Sequence, residues 1–309
     1  GSRFGLKGTE DLGNGYKVGF NLENSFKADD GAFDKGSRLF HRESILFVET
    51  PYGELSAGRT GGLDSGVGRY GQMGSGATAM STGWDNIAKT SKVFLGLGDR
   101  MDNTLTYKSP KFAGVTLLAQ ASLKKSNVNE EGDAIKTEEG SSDADRYYAL
   151  GVTYGAGALN AGLVYSQTDW NRTELKDQTN DDNQTVVSAF ANYDFGMVKP
   201  MVAVQYFDGG KDVDVDTALN KGYGFVVGAT APLVGGTLKV QLGWNDYEDV
   251  KTGATEGNNI ITGVGYEYPL SKRTFVYTAA GYTQVKTEKA GVETKTKTSE
   301  VMLGMVHKF

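Results

Sequence analysis

The chain is poor in the residues that most often carry out chemistry. Its 309 residues include no cysteine and only two histidines, His41 and His307. The lack of cysteine excludes disulfide scaffolds, thiolate metal sites and thiol nucleophiles. The two histidines are far apart in the sequence, and no motif for a nucleophilic serine or a phosphate-binding loop occurs. We therefore expect no enzyme activity, no cofactor and no metal site.

The chain also lacks the features of helical membrane proteins and of nucleic-acid-binding proteins. No run of apolar residues approaches the roughly 18 that a membrane-spanning helix needs. The formal net charge is −6, which argues against a nucleic-acid partner. No leader peptide is visible at Gly1, so we expect a mature or trimmed chain. Strands remain as the elements that could cross a membrane, because barrel strands give no helical signal.

Alternation of apolar and polar residues with a period of two is abundant. Residues 238–245, for example, have the sequence LKVQLGWN, with an apolar residue at every second position. The pattern recurs in about 15 segments, each of which predicts a half-buried strand. No helical segment separates them, which excludes parallel βαβ units. An open antiparallel sheet of this size would expose its edges, so we expect a closed barrel.

Three features favour a membrane barrel over a soluble β-sandwich or propeller. The polar face carries Arg, Lys, Glu and Asn, which suits a water-filled lumen, and short turns alternate strictly with long polar connections. Aromatic residues concentrate near the strand ends, as membrane interfaces require. These residues are Tyr16, Tyr154, Tyr193, Phe195, Trp244, Tyr268 and Phe309. No blade-like repeat supports a propeller.

One segment, residues 61–100, does not follow the strand pattern. It is rich in glycine and is too long for an ordinary connection, so we expect a functional loop. We predict that it folds into the lumen, and we call it the constriction loop. Its aromatic residues Tyr70, Trp84 and Phe94 could form a track for a specific solute. The whole chain, residues 1–309, is then a single transmembrane β-barrel domain.

Four stretches of the chain together form a sequence pattern that is specific for one protein family. They are GSRFGLKGTEDLGNGYKVGFNLE at 1–23, GELSAGRT at 53–60, RMDNTLTYKSP at 100–110 and the terminal VMLGMVHKF. With these stretches the chain resembles the general diffusion porins of Gram-negative outer membranes, most closely the β-proteobacterial type. The resemblance spans essentially the whole chain.

The resemblance implies an all-β fold and a location in the bacterial outer membrane. The fold is a transmembrane antiparallel β-barrel of the 16-stranded family, with the third loop folded inward, and the barrels form a homotrimer. Family members have one more strand before GSRFGLKGTE. We therefore expect the first strand of that pattern to be missing, which agrees with the count of about 15 and with the even number of strands in such barrels.

The resemblance also implies opposed charges at the constriction. Basic residues of the family at the positions of Arg3, Arg59 and Lys108 form a cluster on the wall opposite the loop. The third is often arginine, and lysine keeps the charge there but loses planar stacking. The acidic partners expected from the constriction loop are Asp64 and Asp85, with capping of turns or local pairing as the alternative. The full basic cluster expected is Arg3, Arg59, Lys108, Arg42, Lys17 and Lys7.

We therefore expect a passive, water-filled channel for small hydrophilic solutes and ions, filtered by size and charge at the constriction loop. Because cations outnumber anions there by a small margin, we expect a weak anion preference or almost no selectivity. Two alternatives stay open. A substrate-specific outer-membrane channel would show saturable conductance, whereas a wide conductance would argue against a barrel with a mainly structural or adhesive surface role.

The expected partners are further copies of the chain and the surrounding membrane. Residues 39–48 are apolar on both faces, which suits the interface of a homotrimer. Acidic outer loops predict bridging to lipopolysaccharide phosphates through divalent cations. These acids are Glu130, Glu131, Asp133, Glu138, Glu139, Asp177, Asp181 and Asp182. Residues 212–216 resemble the start of a calcium loop, but Thr217 stands where glycine is required, so no dedicated site is expected.

Overall fold

A computed structural model describes residues 1–34, 38–126, 138–142, 144–170, 183–211, 219–249 and 255–309. Fifteen strands form one antiparallel sheet, and three short helices lie between the fourth and fifth strands. The strands are β1 (Ser2–Gly13), β2 (Tyr16–Phe26), β3 (Glu43–Thr50), β4 (Gly53–Gly61), β5 (Arg100–Lys108), β6 (Val115–Ser122), β7 (Arg146–Ala156), β8 (Leu159–Asp169), β9 (Gln184–Tyr193), β10 (Lys199–Lys211), β11 (Leu219–Leu233), β12 (Gly236–Asp249), β13 (Thr255–Pro269), β14 (Thr274–Lys289) and β15 (Val292–His307). The helices are a 3-10 turn at Thr82–Trp84, α1 at Asp85–Ala88 and a second 3-10 turn at Thr90–Lys92.

Each strand pairs with its neighbours in sequence, so the sheet order runs linearly from β1 to β15. Within the described strands, β1 pairs only with β2, and β15 pairs only with β14. The predicted all-β antiparallel fold and the count of about 15 strands are confirmed. In the described ranges no helix is long and apolar enough to cross a bilayer.

Side chains alternate across the sheet in the sense expected for a barrel with a polar lumen. On β12, Val240 and Leu242 are exposed on one face, whereas Gln241 and Asn245 are buried on the other. The polar face is buried because the constriction loop packs on it, and Gln241 accepts a hydrogen bond from the Met80 N–H at 2.9 Å. The face that contacts the loop is therefore the inner face, and the apolar face points outward.

One connection departs from the predicted alternation of short and long connections. β14 and β15 are joined by only Ala290 and Gly291, at the end of the sheet where the long connections lie. The φ angles of these residues are 51° and 77°, which is the conformation of a two-residue hairpin turn whose twist matches its strands. The prediction that short connections occur at one end only was wrong for this hairpin.

The third strand is shorter than the apolar segment that predicted it. It begins at Glu43 rather than near residue 38, because residues 38–42 belong to the preceding loop. Ile45 and Phe47 face inward and are buried in a cluster with constriction-loop residues, whereas Leu46 is exposed on the outer face. Packing beneath the loop therefore accounts for the apolar residues on the inner face of β3.

The constriction loop buries its apolar side chains against the inner wall. These side chains are Leu63, Tyr70, Met73, Met80, Trp84, Ile87, Val93, Phe94 and Leu97. They form three apolar clusters with residues of strands between β3 and β14. Burial of one such large side chain contributes about 1.5–3 kcal/mol. The loop is thus a packed part of the fold, and the sheet wraps around it.

Glycines make up the inner wall where the constriction loop comes closest. A Cβ atom added at Gly263 would lie 2.7 Å from the sulfur of Met80, and one added at Gly281 would lie 2.2 Å from the carbonyl oxygen of Ile87. Both distances are shorter than van der Waals contact. Only glycine therefore lets the loop lie this deep against β13 and β14.

Candidate functional site

A cavity of about 610 Å³ remains between the constriction loop and the inner face of β1–β3. We call this cavity the eyelet. Its lining combines residues of β1 and β2 with residues of the constriction loop. The charged side chains that line the eyelet are Arg3, Arg42, Arg69, Arg100, Glu23, Glu43 and Asp85.

Three arginines stand on or beside the strand wall of the eyelet. The Arg42 Nε donates to Glu23 Oε1 at 2.5 Å, and Arg3 lies 3.8 Å from the same oxygen. Arg100 is different, because its buried Nε has no hydrogen-bond partner among the described residues. Arg42 and Arg59 are both close enough to Arg100 to repel its charge. Glu23 and Glu43 offset part of this repulsion, but Arg100 lacks the direct hydrogen bond at Nε that Arg42 makes.

The acidic groups of the eyelet are tied down by hydrogen bonds. Glu43 is buried, and its Oε1 accepts from the Thr60 hydroxyl at 2.6 Å and from the Arg69 backbone N–H at 2.8 Å. Asp85, in the constriction loop, accepts from the backbone N–H and the hydroxyl of Ser91 at 2.8 and 2.5 Å. These bonds fix the carboxylates of both residues at the wall of the eyelet.

Arg69 lines the eyelet, but its guanidinium binds a carboxylate of the strand wall. Its Nε and Nη2 donate to the two carboxylate oxygens of Glu54 at 3.0 and 2.5 Å. The guanidinium carbon also lies 4.2 Å from the centre of the Phe47 ring. These hydrogen bonds raise the pKa of Arg69 above its ordinary value. The fork geometry anchors the loop and offsets the charge of Arg69.

Arg59 faces away from the eyelet. Alternation along β4 places it on the outer face with Leu55, and its side chain donates to Asp102 and to the His41 carbonyl, both at 2.7 Å. Arg38 donates to both oxygens of the same Asp102 at 2.6 and 2.7 Å. Arg59 therefore joins the outer loop before β3 to the wall, and it is not among the described residues that line the eyelet.

The three predicted lysines also lie apart from the eyelet. In strand register Lys17 is opposite Glu49, and Lys108 is opposite Glu54, both near the ends with short turns. Lys7 lies midway along β1. None of the three is among the described residues that line the cavity. Of the predicted basic cluster, the structure brings together only Arg3 and Arg42.

Comparison with known proteins identifies the family to which this fold belongs. The family model described as Gram-negative porin matches residues 1–288. The chain belongs to the Gram-negative porin family. As a porin it resides in the outer membrane and forms a channel for passive diffusion of small hydrophilic solutes and ions.

Curated relatives and solved structures agree with this family. An outer membrane porin protein of Bordetella pertussis is 28% identical, covering 100% of this chain and 82% of the relative. Outer membrane porin protein 32 of Delftia acidovorans is 29% identical over 89% of this chain and 72% of its own length. The anion-selective porin from Comamonas acidovorans superposes with a TM-score of 0.68 at 24% identity, covering 99% of this chain and 89% of that one.

Asp64 of the porin does not face the ion path. It is buried between the constriction loop and the wall, where it accepts from the Tyr147 hydroxyl at 2.7 Å and from the Ser166 hydroxyl at 2.5 Å. Burial raises the pKa of Asp64 above its ordinary value. Of the two predicted loop acids, Asp85 lines the eyelet and Asp64 attaches the loop.

The aromatic residues of the constriction loop do not form a solute track. Tyr70 and Phe94 are each 1% exposed, and Trp84 is 8% exposed. Trp84 packs edge-on against Tyr277 of the porin wall, with ring centres 5.3 Å apart. The suggested aromatic track was therefore wrong, because these rings are used for packing.

Sequence reasoning missed four charged residues of the eyelet, Glu23, Glu43, Arg69 and Arg100. Glu23 and Glu43 are paired in the register of β2 and β3, so a correct start for β3 would have put them side by side. Arg100 begins β5 directly after the loop, and its place at the end of the loop was the available signal. The acids predicted at 130–133, at 177–182 and at 212–216 lie outside the described residues, and Glu138 and Glu139 are exposed.

Proposed function

We propose that ions and solutes cross the porin through the eyelet, and that its charges give a weak preference for anions. The eyelet carries four arginines (Arg3, Arg42, Arg69 and Arg100) and three acids (Glu23, Glu43 and Asp85). Charges in the outer loops act little on an ion at the eyelet, because salt screens them beyond roughly 8 Å. The net charge of −6 is thus a poor guide to selectivity.

The observation that carries this proposal is Arg100, which lines the eyelet and whose Nε has no hydrogen-bond partner among the described residues. Arg69 is offset by Glu54, and Arg3 and Arg42 share Glu23. Arg100 adds a positive charge to this group without a hydrogen bond at Nε. The Comamonas acidovorans relative is described as anion-selective, which supports the same direction of selectivity.

Reversal potential in a salt gradient across a planar bilayer tests the proposal. We expect the parent porin to favour chloride slightly over potassium, and Arg100→Gln to shift the reversal potential toward cation preference. Arg273→Gln is the matched control, because Arg273 is exposed in the turn between β13 and β14. A cation preference of the parent that Arg100→Gln leaves unchanged would contradict the proposal.

We further propose that three copies of the porin assemble. Phe4, Leu6 and Leu46 of the first three strands are exposed on the sheet, at 48%, 60% and 57% of their surface. A solved OmpT of Vibrio cholerae is described in a trimer form and superposes with a TM-score of 0.62.

Contact with lipopolysaccharide through divalent cations on the acidic outer loops is part of the same proposal. Loss of trimers on removal of divalent cations would support it.

A further inference from the structure

Carboxamide side chains of the inner wall bind the backbone of the constriction loop at separate places. On β10, Gln205 Oε1 accepts from the Leu95 N–H at 2.6 Å, and Gln205 Nε2 donates to the Leu95 carbonyl at 3.1 Å. One side chain thus satisfies both backbone groups of one loop residue. A neighbouring strand would do the same with its backbone.

Gln120 on β6 repeats this arrangement at the start of the loop. Its Oε1 accepts from the Leu63 N–H at 3.1 Å, and its Nε2 donates to the Gly61 carbonyl at 3.2 Å. Gln120 is 4% exposed, so water does not replace these partners. An unpaired buried backbone group costs about 1–3 kcal/mol. The two bonds therefore favour this position of the loop over a displaced one.

Gln241 on β12 holds the middle of the loop. Its Oε1 accepts from the Met80 N–H at 2.9 Å, and its Nε2 donates to the Thr90 hydroxyl at 2.8 Å. That hydroxyl in turn donates to the Met80 carbonyl at 3.0 Å. The resulting ring of three hydrogen bonds joins both ends of the helical part of the loop to one wall residue.

The neighbours of these glutamines in the sheet are small. Gln241 is paired with Gly228 on β11 and Gly263 on β13, and Gln205 is paired with Gly224 on β11 and Ser188 on β9. A Cβ atom at Gly224 would lie 2.6 Å from the Val93 carbonyl oxygen. Small neighbours therefore let the loop backbone come within hydrogen-bond distance of a short amide side chain.

We propose that Gln120, Gln205 and Gln241 are positioning residues that fix the constriction loop on the wall and thereby set the width of the eyelet. This inference rests on the proposed function, since it concerns the same ion path. A carboxamide both donates and accepts and carries no titratable proton. The three attachments therefore act equally at acidic and neutral pH.

The charged groups around Gln241 are already paired. Lys239, two residues away on the same face, lies 2.9 Å from Glu267 on β13. Lys89, next to Thr90 in the loop, lies 3.2 Å from Glu300 on β15. A new carboxylate at position 241 would thus find neither of these two lysines free as a counter-charge.

Single-channel recording of Gln241→Leu and Gln205→Leu tests the proposal. Each change removes two hydrogen bonds to the loop, so the fraction of time in closed or reduced-conductance levels should rise about tenfold. Gln284→Leu is the matched control, because Gln284 lies on the opposite face of β14 and only accepts from Tyr282 at 3.4 Å. Circular dichroism of each variant establishes that the strands have formed.

Gln241→Glu separates the hydrogen bonds from simple packing. The glutamate has nearly the shape of glutamine, but it donates to Thr90 only when it is protonated. We expect frequent closures at neutral pH and recovery toward the parent at acidic pH. Gln241→Leu should show no such recovery relative to the parent at the same pH.

The outcomes distinguish this inference from the proposed function. A parent protein that conducts no ions would overturn the function itself. A parent that conducts, with Gln241→Leu, Gln205→Leu and Gln284→Leu all indistinguishable from it, would overturn the inference alone. So would a Gln241→Glu channel whose closures are the same at both pH values.

Discussion

At the scale of single residues, the charge of Arg100 matters because its neighbours have partners. Arg42 is neutralised in part by Glu23 at 2.5 Å, whereas the Nε of Arg100 is buried without a partner. We expect Arg100, which lines the eyelet, to act on ions that pass there. Replacing Arg100 should change ion selectivity more than replacing Arg59, because the guanidinium of Arg59 is bound to Asp102.

Asp64 gives a prediction about pH and stability. Burial raises its pKa, so the folded state holds the proton more tightly than the unfolded state does. The free energy of unfolding contributed by this group is therefore highest at low pH and falls as the pH rises from the ordinary aspartate value through the raised one. We expect Asp64→Asn, which keeps an acceptor for Tyr147, to remove this fall.

Thermal unfolding in detergent between about pH 4 and pH 8 measures the effect. The melting temperature of Asp64→Asn relative to the parent should increase with pH. Asp194→Asn is the control, because Asp194 is exposed in the turn between β9 and β10, away from Asp64. Parallel pH profiles of the parent and Asp64→Asn would show that Asp64 does not titrate as proposed.

At the scale of elements, the glycines of β13 and β14 decide how far the constriction loop stands from the wall. A Cβ atom at Gly281 would meet the Ile87 carbonyl at 2.2 Å, so Gly281→Ala must push the loop toward the lumen. Overpacking of this kind costs about 1–3 kcal/mol. We expect a folded channel with lower conductance and a smaller size limit for uncharged sugars in liposome swelling.

Gly151→Ala is the matched control for this substitution. Gly151 also lies on the inner wall, but a Cβ atom there would be 3.6 Å from Leu118 and 3.7 Å from Leu63, which is ordinary contact. Its conductance should equal that of the parent. Equal conductance of the Gly281→Ala channel as well would mean that the wall or the loop absorbs the added methyl group without narrowing the eyelet.

The element scale also shows what sequence patterns could predict. Period-two alternation located every strand, because one face is lipid-facing and the other polar. Arg59 was placed in the basic cluster by the resemblance, whereas alternation along β4 puts it on the outer face with Leu55. The register shift near Arg59 adds its extra residue to β5, where Asn103 has a φ of 52°. An extra residue in a strand reverses the facing of those that follow. Such irregularities carry no signal in hydropathy. The cluster of Arg3, Arg59 and Lys108 is dispersed because Arg59 binds Asp102 and Lys108 lies opposite Glu54 near a short turn.

Loop residues were harder still to assign from sequence. Asp64 and Asp85 look equivalent as loop acids, yet one is buried against Tyr147 and the other lines the eyelet. The difference depends on which wall side chains lie opposite, and those come from strands far away in the chain. Burial of Trp84 follows from the same long-range contacts.

At the scale of the whole molecule, we predict assembly into trimers through the outer face of the first strands. Native mass spectrometry in mild detergent should give three times the chain mass of 33.1 kDa. Leu46→Arg should yield monomers, because a charge would replace an apolar contact. Leu163→Arg is the control, since Leu163 is 48% exposed on β8 and would face lipid. Monomers alone from the parent protein would contradict the prediction.

The linear order of the strands has a consequence for how the channel is built. Neighbouring strands are close in sequence and can pair as soon as each is available, whereas the Met80 amide and Gln241 are 161 residues apart. Contacts of such separation form slowly, because the intervening chain must first be ordered. The loop can therefore settle only after β12 is in place. During folding, the barrel should therefore first have a wide lumen, and docking of the constriction loop should narrow it late in folding.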